Sequence, residues 1–311
     1  MSARLISVVT PCYNEEGNVR EMHEAIRRIF ASLPQYPYEH LFIDNASKDS
    51  TPRVLRELAA GDPHVKVILN ARNFGQVRSG YYALLQTSGD AVIALACDFQ
   101  DPPELIPELL RRWETGSKVV LGVKEASDES GVVYALRERY YRLLTRIADI
   151  QVVKQSTGFG CFDRSVIEGL RRINDPYPYF RGLLAEIGYE PSLVPFRQPV
   201  RKKGISSQNF YTLYDLAFLG IVNHSKVPLR LATMTGFGLA TLSLLVALGY
   251  LIYKLLFWNQ FTVGIAPILI GFFFLTSVQL FFIGIVGEYI GSIYTQVRHH
   301  PHVFEKERLN F

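Results

Sequence analysis

Apolar positions in the first hundred residues of this 311-residue chain switch repeatedly between two periods. Short β-rich runs at 5–10, 38–43, 65–69 and 91–96 each stop at a proline or a polar residue. Between them the spacing turns helical. Val19, Met22, Ile26, Ile29 and Phe30 place one apolar stripe on 16–33. A second helix is predicted at 50–58, with Thr51-Pro52 as cap and first turn, and a third at 75–85. A helix at 104–115, a strand at 118–122, a basic amphipathic helix at 137–150, a helix at 163–173 and a strand at 193–199 follow. Strands alternating with helices predict an α/β fold with a doubly wound, mostly parallel sheet. In such sheets ligands bind outside the carboxyl ends of the strands. The polar clusters fall there: Tyr13-Asn14-Glu15, Asp44-Asn45, Arg72-Asn73 and Asp98.

The pattern changes after residue 225. No charged residue occurs from Leu231 to Tyr253, nor from Leu255 to Gly287. A hydrocarbon core needs about 20 apolar residues per helix, and both stretches meet that length. The expected division is a domain at 1–208, an amphipathic aromatic segment at 209–229 lying on the membrane surface, a two-helix anchor at 230–294 and a tail at 295–311. Lys226 and Arg230 precede the anchor, and Arg298, Lys306 and Arg308 follow it. The positive-inside rule then places the domain and both termini in the cytoplasm, at the plasma (inner) membrane. The opening Met1-Ser2-Ala3-Arg4 runs straight into the first strand, so no signal peptide is expected.

Composition adds limits. The net charge of +4 fits an anionic membrane surface and does not point to nucleic acid. Three scattered cysteines form neither a disulfide framework nor a zinc site. No G-x-G-x-x-G follows the first strand and no P-loop occurs, which disfavours dinucleotide enzymes and P-loop NTPases. His299, His300 and His302 sit in the short tail, where no metal role is expected, and Glu288 is expected to pair near the membrane interface.

Five segments occur in order: P-x-Y-N-E from Pro11, D-N-A-S-x-D-x-T from Asp44, R-N-F-G from Arg72, D-F-Q-D-P-P-E from Asp98, and Gly287-Glu288-Tyr289-Ile290-Gly291 at the end of the second apolar stretch. Together they resemble inverting glycosyltransferase family 2, and within it the polyisoprenyl-phosphate glycosyltransferases, such as bactoprenol glucosyltransferases and dolichyl-phosphate-mannose synthases. The resemblance covers nearly the whole chain and implies a GT-A-type fold. It implies a nucleotide-sugar donor, a polyprenyl phosphate acceptor and a Mg²⁺ or Mn²⁺ cofactor. It assigns Pro11, Tyr13, Asn14, Glu15, Asp44, Asn45, Ser47, Arg72 and Gly75 to the donor, and Asp98, Gln100, Asp101 and Arg201 to catalysis, with Asp98 and Gln100 at the metal. Arg137, Arg139, Arg142, Arg164, Lys202 and Lys203 are the cations expected to hold the acceptor phosphate. UDP-glucose and undecaprenyl phosphate are the first substrates to expect, and packing of the anchors allows a homo-oligomer.

Two departures stand out. Relatives commonly carry D-x-D where this chain has Ala96-Cys97-Asp98, and the segment Gln155-Ser156-Thr157-Gly158-Phe159-Gly160 lacks the acid and the arginine common there. Two alternatives stay open. One is a membrane-anchored glycosyltransferase with another lipid or glycan acceptor. The other is an inactive nucleotide-binding membrane scaffold, which Ala96 would favour.

Overall fold

The computed structural model describes residues 4–125, 153, 156–199, 225–257, 265–298 and 300–311. Its first half alternates as the periodicity requires: β1 (Ile6–Cys12), α1 (Val19–Ala31), β2 (Tyr38–Asp44), α2 (Thr51–Gly61), β3 (Val65–Asn70), α3 (Gln76–Leu85) and β4 (Ala91–Ala94). A 3-10 turn at Pro103–Leu105 leads into α4 (Ile106–Glu114) and β5 (Val119–Lys124). Then come β6 (Ser156–Asp163), α5 (Arg164–Ile173), α6 (Phe180–Ile187) and β7 (Pro191–Phe196). Two long helices follow, α7 (Val227–Leu256) and α8 (Ile265–Val297), and the chain closes on β8 (Glu305–Leu309).

One eight-stranded sheet has the order β7-β5-β6-β4-β1-β2-β3-β8. β1 pairs in parallel with β2 on one side and β4 on the other, and β2 pairs in parallel with β3. β6 and β8 run antiparallel to their neighbours, so the sheet is mixed. The central strands are buried on both faces. Ile6, Val8 and Cys12 face a core shared with α1, α2 and α4, while Val9, Leu41 and Ile43 face a core shared with α3, α5 and α6.

β6 and β8 fall where the sequence pattern names no strand. β6 is glycine-rich because its neighbour comes close: a Cβ at Gly160 would collide with the Val120 carbonyl oxygen. β8 reads Glu305-Lys306-Glu307-Arg308-Leu309, with no apolar face to reveal it. It is an edge strand on β3, with Ile68 opposite Arg308, and the Arg56–Glu307 ion pair (2.7 Å) helps hold it. Charged edge strands of this kind resist unwanted pairing. Within the stretch expected as a tail, Glu305–Leu309 is therefore part of the domain's sheet.

α7 and α8 are long and apolar enough to cross a membrane, and their apolar side chains are almost all exposed. α8 continues ten residues past the expected end of its span at Gly287, to Val297. That extension reaches the domain, where Gln296 donates to the Asp175 carboxylate (3.1 Å). The expected amphipathic helix at 137–150 and residues 209–224 of the expected surface segment at 209–229 lie outside the described residues, and residues 227–229 of that segment begin α7.

Three buried histidines, His23, His40 and His302, weigh on the acid response. His40 lies in mid-β2, its Nε2 3.0 Å from Thr10 Oγ1, its ring against Phe42 and facing His23. Burial pushes all three imidazoles below their usual range. Two carboxyls are held low instead. Burial raises Glu39, but Lys66, Ser7 and Ser88 outweigh it. Burial likewise opposes Ser165, Trp113 and Lys118 at Asp163, which ends at about 2. The histidine contribution is fully present above about pH 6.5, and it is lost below that as the unfolded chain takes up protons the folded state refuses. The carboxylates add a second loss below about pH 4. The thermal midpoint should therefore be flat from about pH 7 to 8, each histidine taking away at most about 1.4 kcal/mol per pH unit below 6.5, while the Asp44 and Asp101 carboxyls, raised by burial, partly offset that loss. His40→Gln should make stability fall less between pH 6.5 and 5 in denaturation curves, and an unchanged pH dependence would contradict the assignment.

Candidate active site

The chain leaves β1 toward β2 and β3 on one side, and returns to β4 on the other. The carboxyl ends of β1 and β4 thus flank the switch point, where open α/β sheets bind ligands. Four loops meet there, after β1, β2, β3 and β4, joined by the start of β6.

The β1 and β2 loops are laced together. The Asn14 N–H donates to Ser47 Oγ (2.8 Å), and the Lys48 N–H donates to Asn14 Oδ1 (2.8 Å). The Glu15 N–H donates to Thr51 Oγ1 (2.9 Å), and the Glu16 carboxylate accepts from the Ser50 N–H (2.8 Å). Asn14 and Ala46 both take positive φ, at 55° and 59°. Non-glycine residues hold such angles only when their surroundings over-determine them, which is common at binding sites. Pro11 and Tyr13 are half-buried on the same loop.

Asp44 ends β2 at 1% exposure. Its Oδ2 accepts from the Ser47 N–H (3.0 Å), while Oδ1 has no hydrogen-bond partner among the described residues. Burial raises this carboxyl, and the Ser47 bonds oppose the rise. A buried acceptor without a donor is costly in a finished core and is suited to a ligand N–H or O–H.

Asn45 faces inward. Its Nδ2 donates to Asn73 Oδ1 (2.9 Å), and its Oδ1 accepts from the Phe74 N–H (2.9 Å) and Asn70 Nδ2 (3.3 Å). Asn73 Oδ1 also accepts from the Gly75 N–H (2.8 Å). Asn45 is thus a brace for the 70–75 loop. Arg72 lies over the Phe74 ring at 4.1 Å, and Gly75 supplies the φ of +86° that turns the loop into α3.

Asp98, 9% exposed, follows β4, and its Oδ1 accepts from the Gln100 N–H (3.2 Å). Phe99 between them has φ of 60°. Asp101 is expected among the catalytic residues, yet both its oxygens are engaged within the protein. Oδ2 accepts from the Ala96 N–H (3.0 Å) and Oδ1 from the Thr157 hydroxyl (3.2 Å). Burial, with the Asp98 charge adding to it, lifts this carboxyl to about 6. Asp101 therefore shapes the loop that presents Asp98. Cys12 and Cys97 are buried free thiols beneath these loops, and burial beside Cys97 pushes the Cys12 thiol up.

The cation assignments divide. Arg137, Arg139, Arg142, Arg201, Lys202 and Lys203 lie outside the described residues. Arg164 is described, at the opposite end of the sheet. β6 runs antiparallel to β4, so Asp163 pairs with Ala91 at the start of β4. There both terminal nitrogens of Arg164 donate to the Thr87 carbonyl (3.0 Å), at the end of the sheet away from Asp44 and Asp98. Asn70 joins the site without having been singled out, and Asn73 and Thr157, named in the sequence segments, join it without having been given a role. Only their polarity next to strand ends and glycines marked them.

No group of three or more His, Cys, Asp or Glu side chains stands ready for a metal among the described residues. A divalent cation that takes one carboxylate from the protein and its other oxygens from a diphosphate still fits Asp98.

A doubly wound sheet with carboxylates at the carboxyl ends of β2 and β4 defines an α/β domain with a ligand crevice at its switch point. Comparison with known proteins narrows the class. The model of "Glycosyl transferase family 2" matches residues 7–171. The bactoprenol glucosyl transferase of Shigella phage SfV is 34% identical over 297 residues, 95% of this chain and 96% of the relative. That of Shigella phage SfX is 33% identical over 304 residues, 97% and 99% of the two chains. Among solved structures, glucosyl-3-phosphoglycerate synthase from Mycobacterium tuberculosis superposes with a TM-score of 0.47 at 20% identity, covering 71% of this chain and 79% of that one. The chain belongs to glycosyl transferase family 2 and is a glycosyltransferase.

Arg164→Ala should lower stability by about 1–2 kcal/mol through the lost bonds to Thr87 and leave the acceptor KM where it was. Urea denaturation and steady-state kinetics on the same preparation check this. A raised acceptor KM would return Arg164 to the site.

Proposed function

We propose that this chain transfers glucose from UDP-glucose to a polyprenyl phosphate, such as undecaprenyl phosphate, at the cytoplasmic face of the plasma (inner) membrane, with inversion at the anomeric carbon. What carries the reading is the conjunction, in one chain, of carboxylates Asp44 and Asp98 at the switch point and two exposed apolar helices. The names of the full-length relatives supply glucose and bactoprenol as the first choices.

The donor's base or ribose would donate to Asp44 Oδ1, with Pro11, Tyr13 and Glu15 lining the same loop. Asp98, with the Gln100 carbonyl beside it, would hold Mg²⁺ or Mn²⁺, which supplies positive charge against the leaving diphosphate. An oxygen of the acceptor phosphate attacks the anomeric carbon. The bond from that carbon to the UDP oxygen breaks, and UDP departs with the electron pair. The attacking oxygen is already ionised at neutral pH, so it needs positioning more than a general base. That accords with a site built from braces: Asn45 under the 70–75 loop and Asp101 under Asp98.

The pairing of β8 with β3 supports a two-span arrangement. The segment after α8 joins the sheet of the domain before α7, so both flanks belong on one side of the membrane. Lys226 and Arg230 before α7 and Arg298 after α8 favour the cytoplasm for that side.

Purified protein given radiolabelled UDP-glucose, undecaprenyl phosphate and Mg²⁺ should yield chloroform-soluble label. Asp98→Ala should lower that rate by about 10²-fold or more, the scale of losing charge stabilisation on a leaving group. Absence of lipid-soluble label with every nucleotide-sugar tried would overturn the reading, and an undiminished rate in Asp98→Ala would overturn the metal assignment.

A further inference from the structure

The 70–75 loop is held from two sides. Asn45 braces it from the sheet, as described. On the outer side the segment between α8 and β8 crosses it. The Ala71 N–H donates to the Phe304 carbonyl (2.8 Å), and the Phe74 and Phe304 ring centroids lie 6.2 Å apart. One turn into α3, Arg78 Nη2 donates to the Pro301 carbonyl (2.8 Å). Between these contacts, His302 is 7% exposed and sets its ring edge-on to Tyr81 at 5.1 Å, and Val303 is buried beside it. Neither ring nitrogen of His302 has a partner among the described residues, so this histidine acts here by packing.

The strap is anchored at both ends. Downstream, β8 pairs with β3, Tyr82 donates to Glu305 (2.9 Å), and Asn310 donates to the Ala59 and Val65 carbonyls (2.7 and 2.8 Å). Upstream, Gln296 in the last turn of α8 donates to buried Asp175 (3.1 Å), and Tyr289 of the same helix donates to the Ser225 carbonyl at the entry to α7 (2.6 Å). Pro301 follows Val297 by only four residues, and such a short connection cannot absorb much movement of α8. A displacement of the helix relative to the domain is therefore felt at Ala71 and Phe74.

We propose that His302 and Arg78 are positioning residues for the donor: they clamp the 301–304 strap onto the 70–75 loop, so that donor affinity depends on how α8 is seated. The proposal rests on the reading of Arg72–Gly75 as a donor-binding loop. The strap touches no reacting atom. It lowers the entropy the loop would lose on binding, so its loss appears in donor affinity before it appears in turnover.

The test uses the full chain in nanodiscs. Without ligand, hydrogen exchange at Ala71, Phe74 and Gly75 should quicken about tenfold in His302→Ala, a local opening made easier by about 1.4 kcal/mol. Donor KM should rise about tenfold, with kcat within about twofold. His302→Phe keeps the ring and should restore both readouts. Arg164→Ala, destabilised at the far end of the sheet, should change neither, which separates positioning from general loosening. Should His302→Ala fail to fold, Arg78→Gln removes the bond to Pro301 and is read the same way. Unchanged exchange at these amides would overturn the strap. Faster exchange with an unmoved donor KM would overturn the link to the donor and trace the failure to the donor-binding reading of the loop.

Discussion

Parallel pairing on both sides of β1 is the constraint on which the rest depends. β1 is hydrogen-bonded to β2 and β4 at once, and the crossovers to these neighbours depart in opposite directions. The loops after β1 and β4 must diverge, and a crevice opens between them. Every polar group of consequence hangs from that geometry. Asp44 reaches the crevice because β2 is in register with β1, with Cys12 opposite Asp44. Asp98 reaches it from the other side, four residues past the end of β4.

The crevice is stiffened by side-chain braces more than by regular structure. Asn45, Asn73, Asp101 and Thr157 all spend their hydrogen-bonding capacity on loop backbone or on each other. This suits a reaction between two anionic substrates, in which one already carries an ionised nucleophile and the enzyme's task is to fix distances. The Ala96 N–H anchors Asp101, and that bond fixes the loop from which Asp98 projects.

The central strands and helices were legible because buried parallel strands read as unbroken apolar runs punctuated by amphipathic helices. The strand-end carboxylates were legible for the same reason, since the ends of those runs locate the crevice. β6 was hidden because closeness to Val120 demands glycine at 160, and glycine erases the β signal. β8 was hidden because an edge strand of charged residues has no apolar period. Asn45 was visible as a polar residue at a strand end, but its partners lie 25–29 positions away and no local pattern announces them. The place of Arg164 was not legible, because the Asp163-Arg164 pair does not reveal that β6 runs antiparallel to β4 and ends at the opposite end of the sheet from Asp98.

The account turns on Asp44, the buried carboxylate whose Oδ1 has no donor among the described residues. Isothermal titration of UDP into wild type and Asp44→Asn tests it most directly. Loss of an acceptor aimed at the ligand should weaken UDP binding by about tenfold or more, while the variant, relieved of a buried charge, melts no lower than wild type. Equal affinity for UDP in the two proteins would contradict the account.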